Sequence, residues 1–83
     1  METIGQRVRA MRERRLWSQR DLSERAGVPQ ATISRVESDQ NETRPQNRTI
    51  ISLAQALDVD PAWIMFGGDE MGKAAARGNL AAA

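Results

Sequence analysis

Ile4, Val8 and Met11 recur at the three- and four-residue spacing of one helix face, with arginines at most of the positions between them. This predicts a helix over about residues 2–15. Ser18, followed three residues later by Asp21, is a capping-box start, in which a hydroxyl and a carboxylate each accept a backbone N–H of the first turn. Leu22 and Ala26 share one face of the short second helix that follows. Gly27 ends it, because glycine takes positive φ without steric cost. Pro29 opens a third helix, where its fixed φ and missing N–H are harmless. Ile33, Val36 and Glu37 lie on one face of that helix, and Gln30, Ala31, Ser34 and Arg35 on the other.

The periodicity breaks over residues 38–47, a polar stretch that reads as a loop. Asn47 is the expected cap of a fourth helix whose inward face is Ile50, Leu53, Ala54 and Leu57. Asp60-Pro61 starts a short fifth helix over residues 62–66, and Gly67-Gly68 ends it. No strand-like alternation appears, so the expected fold class is all-α, a five-helix domain over residues 1–67. Residues 68–83, rich in Gly and Ala and without an apolar stripe, are expected to be a tail or a linker.

Composition narrows the chemistry. With 83 residues, 40% hydrophobic and 28% charged, the chain is one small globular domain. It has no cysteine and no histidine, which removes disulfides, thiolate metal sites and the usual neutral-pH proton shuttle. An enzyme would need a carboxylate pair or Lys73, and Lys73 lies in the expected tail; catalysis, cofactors and metals are not expected. No apolar run approaches the roughly 20 residues that span a bilayer, and the arginine-studded opening is no signal peptide, so a cytoplasmic location is expected. The net charge of +1 is unevenly spread: residues 1–36 carry eight arginines against four acids, and residues 37–83 carry four basic groups against seven acids. Eleven of the twelve basic residues are arginine, whose planar fork matches phosphate oxygens and guanine edges.

The stretch from Gln19 to Ser38, QRDLSERAGVPQATISRVES, places two short helices around one glycine, and Leu22, Val28, Ile33 and Val36 must converge to hold them at a steep angle. Together with WSQRDLSERAGV, ISRVE and LAQALDVDPAWIMFGG in this order, it resembles the lambda repressor-like family of helix-turn-helix proteins, the Cro and phage-repressor group, over about residues 3–67. The resemblance implies that the second and third helices form a helix-turn-helix and that the third enters the major groove of double-stranded DNA. It makes Gln30, Ala31, Ser34 and Arg35 the candidate base readers. Gln19, Thr32, Arg44 and Arg48 become candidate phosphate contacts. Arg12 and Glu37 match a structural ion pair.

Departures from the family pattern are Ser23 for a common alanine, Pro29 for Ser or Thr, Trp17 for a core leucine, a long loop at residues 38–47, and Leu16 for a helix-ending glycine. Positive φ at Leu16 would strain it. Trp63, Ile64, Met65 and Phe66 exceed what one face of a short helix buries, so part of this group is expected in the core. The remainder, with Trp63, Ile64 and Phe66 as candidates, is expected in a homodimer contact. The implied function is a repressor binding a two-fold symmetric operator as a homodimer. The competing reading is an antitoxin of the same fold, whose main partner is a protein toxin.

Overall fold

A computed structural model describes residues 3–38 and 45–68. Five helices occupy them: α1 (Ile4–Arg14), α2 (Gln19–Ala26), α3 (Gln30–Ser38), α4 (Asn47–Leu57) and α5 (Pro61–Phe66). Among the described residues there is no strand.

The helix boundaries follow from local chemistry. α1 starts at Ile4, because Thr3 and Gln6 form a capping box: the Gln6 N–H donates to Thr3 Oγ1 at 3.1 Å and the Thr3 N–H to Gln6 Oε1 at 3.0 Å. α2 has the expected box, with the Asp21 N–H on Ser18 Oγ at 3.0 Å and the Ser18 N–H on Asp21 Oδ2 at 2.9 Å. Gly27 leaves α2 with φ +69°. Asp60 caps α5 by accepting the Ala62 N–H at 2.9 Å, and Pro61 is already inside the helix. Two further expectations shift by a residue. Pro29 precedes α3, and its carbonyl accepts the N–H groups of Thr32 and Ile33. Asn47 is the first residue of α4; the cap position is Gln46, which makes no side-chain capping bond.

α1 ends in a Schellman motif. The Leu16 N–H reaches the Glu13 carbonyl at 2.9 Å and the Trp17 N–H the Arg12 carbonyl at 3.2 Å, with Leu16 itself at φ +58°. α4 ends in the same way at Asp58, φ +59°, and an aspartate tolerates that region better than a leucine does.

The core joins all five helices. α3 packs on α1 and α2, α4 on α2 and α5, and α1 also meets α4 and α5. Val8, Met11, Leu22, Val28, Ile33, Val36, Ile50, Leu53, Ala54, Leu57, Val59 and Ile64 are buried. Trp17 is not in this set. It sits half-buried at the core's edge, with the Arg25 guanidinium 4.4 Å and that of Arg15 5.7 Å from its ring centroid. Arg7 departs furthest from the expected solvated arginine. It is buried, and its Nε and Nη2 donate to the carbonyls of Ile64 (2.8 Å) and Met65 (3.1 Å). The cation thus meets the negative end of α5 and ties α1 to α5. Gly67, at φ +78°, leaves room for it: a Cβ there would lie 3.1 Å from Arg7 Nη1.

Candidate nucleic-acid interface

α2, the turn and α3 form one unit because four apolar side chains hold them from beneath. Leu22, Val28, Ile33 and Val36 all lie in the core, as their spacing requires. With that face committed, the opposite face of α3 stands clear: Gln30, Ala31, Ser34 and Arg35 are all exposed and lie on one side of the helix. A polar helix face of this kind fits the roughly 12 Å width of the major groove.

The back of α3 is braced by charge. Arg12 Nε and Nη2 donate to the two carboxylate oxygens of Glu37 at 2.7 and 2.9 Å, a bidentate pair between α1 and α3. The side chains are only 11% and 4% exposed. Arg12 Nη1 also donates to the Trp17 carbonyl at 2.8 Å, and Gln19 Nε2 donates to Glu37 Oε1 at 3.2 Å. The bond to Glu37 raises the Arg12 pKa above its ordinary value against the opposing effect of burial. One network therefore joins the end of α1, the start of α2 and the end of α3. Gln19 spends one amide hydrogen inside this network, and the Asp21 N–H is taken by Ser18, which leaves the second Gln19 amide hydrogen and the backbone N–H groups of Gln19 and Arg20 for an external anion.

Thr32 is half-buried and faces a solvent-open cleft of about 520 Å³ between α3 and the start of α4, shared with Arg35, Arg48, Thr49 and Ser52. Arg48 is exposed, and its Nε donates to Gln46 Oε1 at 3.1 Å. Thr49 and Ser52 were not singled out in the sequence. Their signal was available, since both stand off the apolar stripe of α4. Arg44 lies outside the described residues.

The α5 group divides. Ile64 is wholly buried and belongs to the core, which takes it out of any surface contact, while Trp63 is half-buried against the core. Phe66 is 75% exposed, and beside it Ile51 of α4 is 45% exposed. Together with Pro61, Ala62 and Met65 they line a shallow apolar hollow of about 200 Å³. Ile51 went unnoticed in the sequence because it stands next to Ile50 and off the periodic stripe. Among the described residues no cluster of acids could hold a metal ion, and no helix is long and apolar enough to cross a membrane.

A helix-turn-helix family model matches residues 8–64. The chain is 29% identical over 68 residues to the HTH-type transcriptional regulator DicA of Escherichia coli (strain K12), covering 82% of this chain and 49% of that protein. It is 36% identical over 66 residues to the HTH-type transcriptional repressor RghR of Bacillus subtilis (strain 168), covering 80% of this chain and 48% of that one. It thus spans about half the length of these curated relatives. In solved structures it resembles the P22 c2 repressor protein in complex with a synthetic operator, with a TM-score of 0.73 and 29% identity over 82% of this chain and 100% of that one. The SinR protein/SinI protein complex matches with a TM-score of 0.72 and 24% identity over 96% of this chain and 81% of that one, a likeness of fold alone.

Proposed function

The chain belongs to the helix-turn-helix family, in its lambda repressor-like branch, and from that premise we propose that it is a sequence-specific DNA-binding transcriptional regulator acting as a repressor. The observation that carries this reading is the exposed face of α3, braced from behind by the buried Arg12–Glu37 pair. A helix held this rigidly can present side chains to base edges with fixed register. Gln30 has the donor and acceptor for an adenine edge, Arg35 the fork for guanine O6 and N7, and Ala31 a methyl for thymine; Ser34 bonds to either kind of base. Arg48, Thr32 and Gln19, the last with the N–H groups of Gln19 and Arg20 at the start of α2, take backbone phosphates on either side, with Arg44 as a further candidate. The family resemblance to a repressor solved on its operator supports this assignment.

The operator is two-fold symmetric and is read by two copies. The exposed Phe66 and Ile51, with Met65 beside them, form the self-complementary patch, and Trp63, half-buried on the same helix as Phe66, is a further candidate for the contact. Selection from a random duplex pool tests the whole reading. The expected product is a pair of inverted half-sites with centres about 34 Å apart. Binding should weaken with salt at a log–log slope of about −5 for about six neutralised phosphates. Co-purification with a toxin-like partner would favour the antitoxin reading, in which the protein also binds its own operator, whereas a pool that returns no sequence would overturn both readings. Affinity that stays flat between about 50 and 200 mM salt would remove the phosphate contacts.

A further inference from the structure

Ser23 lies in the middle of α2, yet its polar atoms are turned to the far side of the α2–α3 turn. Its carbonyl accepts the N–H groups of Gly27 (2.9 Å) and Val28 (3.3 Å). Its hydroxyl donates in the opposite direction, to the Val28 carbonyl, at 2.6 Å. One residue thus clamps Val28 at both its N–H and its C=O. We propose that Ser23 is a positioning residue for sequence readout, setting the angle at which the first turn of α3 leaves the turn. This inference rests on the DNA-reading assignment above.

The torsions between the clamp and the reading residues identify the role. Pro29 has its φ locked by its ring. Val28, as the residue before proline, is confined to extended conformations. Its side chain is buried in the core and its N–H is bonded, so its φ is held. What remains to be set is the value of Val28 ψ within its extended range, and rotation about it swings the carbonyl that Ser23 holds. The first turn of α3 follows that peptide plane: the Pro29 carbonyl receives the first N–H groups of α3, and Gln30 and Ala31 come next, ahead of the anchor at Ile33. A rotation of about 10° moves a group about 6 Å away by about 1 Å, beyond the roughly 0.5 Å tolerance of a binding constellation.

The two ends of α3 are held by different means. Near its C-terminal end, Val36 is in the core and Glu37 is tied to Arg12 and Gln19. Ahead of Ile33, the hold is Val28 and the Ser23 hydroxyl. Removing the hydroxyl therefore loosens Gln30 and Ala31 while leaving Arg35 in place. The consequence is positional: the loss of discrimination is confined to the base pairs read from the start of the helix.

The test uses this chain and a random duplex pool. The parent protein defines the preferred sequence, and Gln30→Ala and Arg35→Ala locate the base pair that each side chain reads. Ser23→Ala and Ser23→Thr are then titrated against duplexes altered at each of those two positions, with thermal melts of every variant. Ser23→Ala should lose about 2- to 10-fold in discrimination at the Gln30 base pair, the worth of one neutral hydrogen bond. It should keep parental discrimination at the Arg35 base pair, as well as the parental salt slope and non-specific affinity. Ser23→Thr, which keeps the hydroxyl, should restore the lost discrimination. Equal loss at both base pairs, unchanged discrimination at both, or failure of Ser23→Ala to fold would each overturn the positioning role. A parent protein that selects no sequence would overturn the DNA-reading assignment itself, which is a different and distinguishable failure.

Discussion

Replacing Leu16 by glycine should make the protein more stable, although it deletes a large apolar side chain. Leu16 occupies the left-handed position of the Schellman motif at the end of α1, at φ +58°. For an L-residue this region costs about 1–2 kcal/mol, because Cβ crowds the following carbonyl oxygen. The side chain returns little in packing, being 91% exposed. Glycine removes the steric cost and keeps both backbone bonds of the motif. Against this stands the greater freedom of glycine in the unfolded chain, worth about 0.4–1 kcal/mol. The net gain is about 0.5–1 kcal/mol, a rise of roughly 2–8 °C in the melting midpoint for a domain of this size. Leu16→Ala is the informative companion. It loses the same exposed apolar surface but keeps Cβ, so it should stay within about 0.5 kcal/mol of the parent. Thermal melts by circular dichroism, with urea titrations to confirm an unchanged m-value, measure both variants. If Leu16→Gly melts no higher than the parent, or if Leu16→Ala gains as much as Leu16→Gly, backbone strain at this position is not the reason.

Arg12→Met leaves Glu37 as an uncompensated buried charge and should destabilise by about 3–5 kcal/mol, whereas the double variant Arg12→Met/Glu37→Met should regain most of that loss in urea titrations. Ile33→Ala should lose about 2–5 kcal/mol through lost burial and a cavity, and with it binding to every duplex. By contrast, Arg35→Ala should melt like the parent while its affinity for the selected operator falls by about 1–3 kcal/mol in a binding titration. Asp21 is held below the usual carboxylate range, chiefly by the backbone N–H of Ser18. Because its folded pKa is depressed, its contribution is present above the unfolded value and is lost as pH falls below about 4. The difference in melting midpoint between the parent and Asp21→Asn should therefore shrink across that window.

Those helix boundaries that rest on side-chain capping were largely legible in the chain itself. The box at Ser18 and Asp21, the exit at Gly27 and the Asp60-Pro61 start are contacts between residues two to five apart, so neighbours in sequence suffice to specify them. Asn47 misled because asparagine is a good cap by type, whereas the chain's path through Pro45 and Gln46 decided which residue occupied the cap position. The strain at Leu16 was legible only as a conditional: the motif asks for glycine, and the folded chain holds Leu16 at positive φ. The outer face of α3 was legible because Ile33 and Val36 can turn inward in only one way, leaving Gln30, Ala31, Ser34 and Arg35 outside.

What only the tertiary structure decided concerns groups whose partners lie far along the chain. Arg7 reads as one more surface arginine until Ile64 and Met65, 57 and 58 residues away, turn their carbonyls towards it. Ile64 and Phe66 belong to the same short apolar run, but α5 has one side against the core, so the first is sealed in and the second is left in solvent. Ser23 is merely a small residue in a helix until the turn folds back and brings the Val28 carbonyl to its hydroxyl. The physical reason is common to all three. Local order is set by backbone sterics and by bonds that close within a turn, which the order of residues specifies directly. A buried polar group, in contrast, is satisfied only by whatever the packed helices bring within about 3 Å of it, and that distance exists only once the core has formed.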